Sequence, residues 1–427
     1  VEEPVVSEGS LPLLVVRLAY RDRSFVNDAA TWSEKFFGGG KHQLNHYYLE
    51  VSNGTFEFTP ASEHEGDDDG VITVSLDKSH PDPDIDGREV ILTDLAEALA
   101  AADPFIDYGA YDRDGNGYIG YNELQVIFIV AGYEDAYSGG TVAPGIWAHS
   151  YCLSSSVAPQ ADGVSLLECI GAGRYSLFGE RHGVYSRTGA IVEHDATVGI
   201  IAHELGHSAF LLPDLYDTDG SSGGIGYYGL MGGGSWGASD ETDYPGNTPV
   251  HPCAWSKIES GWVTPQVVGN ANVETVSLNQ SAAPSFNIVK VPISGSEYFL
   301  LENRDNSGYD RGLFMLGGDF DGGLALWHID EEIIAAKDPT NTVNNDETHK
   351  GVDLEEAARP QLDTAPESGG GYGHESNLYY AGNVAAFTPV TSPDSDSYTG
   401  GGSGIYVTDI SDRGATMYAT VANPNPQ

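Results

Sequence analysis

Short apolar runs, separated by polar and glycine-rich stretches, set the plan of this chain. Residues 13–20 (LLVVRLAY) form a run of buried-strand length. Residues 41–50 (KHQLNHYYLE) have helical spacing, and a Ser52–Asn53–Gly54 turn leads into a strand at 55–58. From 92 to 102 apolar residues recur at helical spacing, with Thr93 at the capping position. The continuous apolar run 124–131 (LQVIFIVA) predicts a central strand. Residues 132–194 are rich in Gly and Ser and carry only short strand-like pieces. A helix is predicted over 196–210 with Asp195 as its cap, and a second near 252–260. After Pro265 the texture changes to short alternating runs (NIVKVPI, EYFLLEN, LALWHI, IYVTDI) punctuated by Gly, Asp and Ser, which predicts a β-rich region, sandwich-like in type. The expected class is α+β, with one domain over 1–265 and a second over 266–427.

Charge narrows the range of partners. The 427 residues carry 63 acidic and 19 basic side chains, a net −44. Such a surface repels phosphate and anionic lipid, which excludes nucleic-acid binding. A hydrophobic content of 40% is enough for a packed core, so the chain is not read as disordered. No apolar run is long enough to span a bilayer, and the opening VEEPVVSEGS lacks the pattern of a signal peptide. The chain is therefore expected to be either cytosolic or a mature, already cleaved form, and a monomer. Of three cysteines, Cys152 and Cys169 could bridge and leave Cys253 free, a pairing the sequence leaves open.

The chemistry concentrates in IIAHELGHSAFLLPDLYD. His203-Glu204-Leu205-Gly206-His207 is an HExxH. On a helix, residues four apart share a face, so both imidazoles can reach one zinc ion. Glu204, beside the first histidine, is placed to take a proton from water. The bland alternative is a buried helix with two satisfied histidines. A catalytic zinc needs a third protein ligand. Asp214 is the nearest choice if the helix ends before Pro213; Asp217 and Asp219 come next, although their spacing also suits a calcium site or a solvated turn. Glu259 would serve in a thermolysin-like arrangement. Tyr227 and Tyr228 could donate to an oxyanion or simply pack.

A second motif spans 112–123, DRDGNGYIGYNE. It fits a twelve-residue EF-hand loop, with oxygen ligands from Asp112, Asp114 and Asn116, the carbonyl of Tyr118, a turning Gly117 and a bidentate Glu123. The apolar run that follows is strand-like, so the loop reads as a calcium staple rather than a sensor. Asp67–Asp69, Asp319, Asp321 and the acidic stretch 353–356 are further oxygen-rich places, as is the loop from Pro81 (PDPDIDG), and all read first as solvated loops.

HELGH followed by LPDLYD resembles the M6, or immune inhibitor A-like, metallopeptidases. The likeness continues through LNHYYLEVSNGTFEF, QVIFIVAGYEDAYSGG, GIWAHSY, GYYGLMGGGSWG, AWSKIESGWVTP, EYFLLENR, GGLALWHIDEE, GVDLEEA, SPDSDSYTGG and GIYVTDIS in family order. It implies a metzincin-like catalytic domain, with a mixed sheet and an active-site helix, in a secreted zinc endopeptidase acting on proteins or peptides. It also implies that Met231 is the methionine beneath the metal, where the bland reading is core packing. One departure stands out. The family places a turning glycine where this chain has Phe210, and one extra residue separates His207 from the LPD. Against the peptidase stands a different class of function, a non-catalytic adhesion or surface-binding module pinned by a metal. An intact Glu204 argues against it, since a structural pin needs no base.

Overall fold

A computed structural model describes residues 5–81, 88–269, 271–318, 320–359, 361–366 and 371–425. The chain forms two compact units, one drawn from Val1–Tyr48 and Phe56–Leu211, the other from Leu49–Thr55 and Leu212–Gln427. Position 265, where the sequence texture changes, lies within the second.

The first unit contains strands β1 (Gly9–Tyr20), β2 (Phe56–Pro60), β3 (Val71–Leu76), β4 (Gln125–Glu134), β5 (Gly145–Ile146), β6 (His149–Tyr151), β7 (Gln160–Ala161), β8 (Val164–Ser165), β9 (Tyr175–Tyr185) and β10 (Ile191–Asp195). Among the described residues the α-helices of six or more residues are α1 (Ala29–Phe37), α2 (Leu44–Val51), α3 (Arg88–Ala102), α4 (Val198–Phe210), α5 (Ala254–Glu259) and α6 (Glu331–Lys337), with a four-residue helical turn at Asp135–Ser138 and several 3-10 segments between. Eight strands make one mixed sheet in the order β10-β9-β4-β1-β2, with β3 on β1, β5 on β4 and β6 on β9. β1, β4 and β9 run parallel, whereas β6 and β10 pair antiparallel along one side of β9. β4 is buried along nearly its whole length, which is why its sequence is a continuous apolar run rather than an alternating one. Leu14, Val16 and Leu18 of β1 and Val126, Phe128 and Val130 of β4 pack with Leu95 and Leu99 of α3.

Two predicted caps are displaced. α3 starts at Arg88, so Thr93 lies inside it rather than at its start. Thr197, not Asp195, precedes α4. Asp195 ends β10, where its carboxylate accepts from Asn27 Nδ2 at 2.7 Å and pairs with Arg181. Most of the loop from Pro81, and Asp319, lie outside the described residues.

The second unit holds a five-stranded sheet, β11-β13-β14-β15-β16, and a three-stranded sheet, β12-β18-β17. Their ranges are β11 Gln266–Val267, β12 Asn272–Asn279, β13 Val289–Pro292, β14 Glu297–Arg304, β15 Gly323–Asp330, β16 Val352–Leu354, β17 Tyr406–Thr408 and β18 Thr416–Asn423. One core takes Leu278 from β12 and Met417 and Val421 from β18, together with Val291, Phe299 and Leu326 from the larger sheet. The alternating sequences of β12 and β18 follow from having one face in this core and one in water.

Cys152 and Cys169 are disulfide-bonded and Cys253 is free and buried. Among the described residues no helix is long and apolar enough to cross a membrane.

Candidate metal centre

Twelve of the thirteen residues of α4 are buried; His207 is the exception. A helix buried on every face needs apolar residues on every face, and Ile200, Ile201, Leu205 and Phe210 supply them. Side chains of the first unit grip its backbone. Tyr48 Oη donates to the Ala202 carbonyl at 2.9 Å. Ser176 Oγ donates to the Glu204 carbonyl at 2.8 Å and stands 2.9 Å from Ser208 Oγ. Gln125 Nε2 donates to the carbonyls of Tyr121 and Ser208, at 2.6 and 3.1 Å. None of the three belongs to a recognisable metal-binding motif along the chain. The signal available was a polar residue, Gln125 or Ser176, at or next to the start of a buried apolar stretch of strand.

The Nε2 atoms of His203 and His207 lie 3.2 Å apart, with the rings nearly perpendicular at 88°. Two nitrogens bound to one tetrahedral zinc at about 2.0–2.1 Å would stand about 3.3 Å apart, so the pair fits a shared ion. Along the continuous segment 203–214, ligand atoms of His203, His207 and Asp214 all lie within 4.8 Å of one another. That donor set, two imidazoles and a carboxylate, can bind a metal ion and suits zinc.

The local backbone accounts for the extra residue. Phe210 stays helical because its ring is core, 5.5 Å from Tyr48 and 5.0 Å from Phe56 between centroids. The chain turns one position later. Leu211 takes a left-handed conformation (φ 57°, ψ 27°), and its N–H donates to the Gly206 carbonyl. The insertion therefore lengthens the helix by one residue and moves the turn and the LPD together, which keeps Asp214 three residues past the turn.

Asp214 is 5% exposed, and Asn341 holds it: the Asp214 N–H donates to Asn341 Oδ1 at 2.9 Å and Asn341 Nδ2 donates to Asp214 Oδ2 at 2.5 Å. Neighbouring asparagines fix the next residues. Asn344 Nδ2 donates to the Leu215 carbonyl at 2.9 Å, and Asn345 Oδ1 accepts from Thr218 N at 3.1 Å. This strap lies 127 residues downstream, beyond the reach of any local sequence pattern. Asp217 and Asp219 are not in the histidine group. Asp217 organises its own turn, accepting from Asp219 N, Gly220 N, Ser221 Oγ and Ser222 N. Burial works against its ionisation, yet these donors hold the carboxyl below the usual range. Glu259 is likewise outside the group.

Met231 is fully buried, and its carbonyl accepts from Leu215 N at 2.8 Å, which ties its turn to the LPDLYD segment. Close packing explains the glycines that follow, since a Cβ on Gly234 would stand 2.3 Å from Val250 Cγ2. Tyr228 is fully buried; its hydroxyl donates to the His374 carbonyl at 2.5 Å, and burial pushes its pKa well above the ordinary tyrosine value. Of the two readings left open for it, packing describes its place in this structure. Tyr227 packs its ring 5.7 Å from Tyr372.

At the second motif, ligand atoms of Asp112, Asp114 and Glu123 lie within 4.8 Å of one another. Asp112 accepts from Asn116 N and Gly117 N at 3.0 Å each, and Asn116 Oδ1 accepts from Tyr118 N at 2.7 Å. Glu123 accepts from Arg113 N at 2.7 Å and Gly120 N at 3.0 Å. A short 3-10 turn, Tyr108–Tyr111, precedes the loop and β4 follows it, so this is not a helix–loop–helix. Of the other acidic places, Asp353 pairs with Lys350 at 2.9 Å and Asp321 with Arg413 at 3.5 Å, while Asp68 accepts from Glu63 N at 2.8 Å and Asp69 from Val71 N at 3.1 Å.

No curated protein shows significant similarity to the chain. Residues 77–263, from the end of β3 through α5, match the family described as immune inhibitor A peptidase M6, catalytic domain. That stretch, which contains the paired histidines, Glu204, Asp214 and Met231, is similar to the catalytic domain of the M6 metallopeptidases.

Proposed function

We propose that this protein is a secreted zinc endopeptidase with Glu204 as general base. One observation carries the reading: two imidazole nitrogens 3.2 Å apart on α4, grouped with the Asp214 carboxylate, with Glu204 beside the first of them. Zinc, when bound, supplies a Lewis acid that acidifies water and polarises the scissile carbonyl. Glu204 takes the proton of the attacking water as oxygen bonds to the carbonyl carbon. It then delivers that proton to the nitrogen as the carbon–nitrogen bond breaks. Ser176 and Gln125 keep the helix backbone in register for this transfer through the Glu204 and Ser208 carbonyls. An extended substrate would pair with β6, the short antiparallel strand beside β9, as in a metzincin-like arrangement. The Cys152–Cys169 disulfide supports an oxidising compartment. Calcium in the 112–123 loop would staple it to β4, with Asp112, Asp114, Asn116, Glu123 and the Tyr118 carbonyl as ligands.

Glu204→Gln tests the reading. The variant is expected to keep stoichiometric zinc and to lose about 10²–10⁴-fold in casein cleavage. Wild-type cleavage by that variant overturns the mechanism.

A further inference from the structure

The outer side of β9 is covered by two short strands in line, β10 along Arg181–Tyr185 and β6 along Tyr175–Leu177. Among the described residues each pairs only with β9, so this is an open sheet edge. The β10 end is unusual in composition. Ile191 lies opposite Tyr185 and Val192 opposite Val184. Opposed residues share a face and successive residues alternate, so the ribbon carries one apolar pair on each face. All four are exposed, at 39%, 55%, 54% and 38% for Ile191, Tyr185, Val192 and Val184. Edge ribbons are commonly guarded by charge against unwanted pairing, and here the two acidic residues of β10 are engaged within the protein. Glu193 and Asp195 serve as partners of Arg181 at the base of the ribbon.

We infer that the β9–β10 ribbon is a docking track for extended, apolar segments of polypeptide substrate. The inference rests on the peptidase reading and adds a second binding surface to it. The occupant follows from three features. An unpaired edge offers main-chain hydrogen bonds to an extended chain. The track continues the line of β6, where the scissile segment is placed, and β10 runs through Ala196 and Thr197 directly into α4. A second copy of this chain is a poor occupant because each carries a net −44 and the copies repel. The same charge disfavours an anionic membrane. The partner that fits is an unfolded, apolar-rich polypeptide.

The test uses the full-length zinc-loaded Glu204→Gln protein and fluorescein-labelled β-casein, read by anisotropy, so that binding is measured without cleavage. Ile191→Thr with Val192→Thr, added to that background, removes apolar surface while keeping strand-forming residues. The expected result is at least a fivefold loss of casein affinity with an unchanged melting temperature. Unchanged affinity, or no binding of casein by the Glu204→Gln parent, overturns the inference. So does a concentration-dependent dimer by sedimentation that the two threonines disperse while casein affinity stays the same. Casein cleavage by the wild-type protein reports separately on the peptidase reading: a wild type that binds but does not cut would sink the mechanism and leave the track standing.

Discussion

Asn341 grips Asp214 at two points, accepting from its backbone N–H at 2.9 Å and donating to its carboxylate at 2.5 Å. A ligand carboxylate with one oxygen committed to a fixed donor has its other oxygen aimed, which is how outer residues tune a metal site. Asn341→Ala is expected to weaken zinc binding about 10–100-fold, measured by competition with a chromogenic chelator. Asn341→Asp would place a second carboxylate against Asp214 and should weaken binding at least as much. Wild-type affinity in the alanine variant would show that Asp214 needs no outside hold.

Leu211 occupies a conformation that costs a residue with a β-carbon about 1–2 kcal/mol. Leu211→Gly is therefore expected to keep zinc and activity and to raise stability, provided that relief of the strain exceeds the extra chain entropy glycine loses on folding. Leu211→Ile, branched at Cβ, should lower it. Thermal melts of the zinc-loaded proteins give the order. If the isoleucine variant melts at or above the wild-type temperature, the turn is not strained at Leu211.

His328 lies between two carboxylates in the second unit, Nε2 2.9 Å from Glu297 and Nδ1 3.0 Å from Glu355. Burial disfavours its charged form, but both acceptors favour it and push the pKa from 6.5 up to about 9. A folded-state pKa above the unfolded one stabilises fully below pH 6.5 and loses that contribution as pH rises through about 9. The contribution is about 3 kcal/mol. Lys257 works in the opposite direction, because burial lowers its pKa to about 8. Comparing wild type with His328→Gln from pH 6 to pH 10 isolates the histidine. The stability gap should be widest at the acid end and shrink towards pH 10; a constant gap would remove the imidazolium from the account.

The 112–123 loop joins a 3-10 turn to β4, and Gln125, two residues past Glu123, reaches the Ser208 carbonyl beside His207. If calcium binds the folded loop, about 2.7 kcal/mol of stability is expected at a hundredfold excess over Kd. Addition of a calcium-selective chelator should lower the melting temperature while zinc remains bound. Asp112→Asn with Glu123→Gln should melt at the chelated temperature whether or not calcium is present. No shift on chelation of the wild type would leave the loop an acidic turn and nothing more.

Much of this was legible along the chain. The apolar run at 124–131 announced a strand buried on both faces, because such a strand has no polar side to declare. The His203–His207 pair was readable because helical periodicity alone brings residues four apart together. The 112–123 loop was readable because its oxygens are spaced by one local turn. The helix caps were misplaced because a cap is chosen by competition. Asp195 has the right chemistry, yet Asn27 and Arg181, distant in sequence, claim its carboxylate.

What the sequence by itself determined is therefore the local chemistry: two imidazoles on one helical face, a carboxylate beside them, and strands marked by their apolar periods. What only the tertiary structure decided is which of several nearby carboxylates lies close to the histidines, and what steadies it. Ligand atoms of Asp214, and not of Asp217, lie within 4.8 Å of those of both histidines, and the turn before Asp214 falls at Leu211 because Phe210 is drawn into the core between Tyr48 and Phe56. It is oriented because Asn341 folds back across 127 residues to hold it. Periodicity records what neighbours along the chain do to one another, whereas packing and long-range hydrogen bonds depend on contacts that no local pattern encodes.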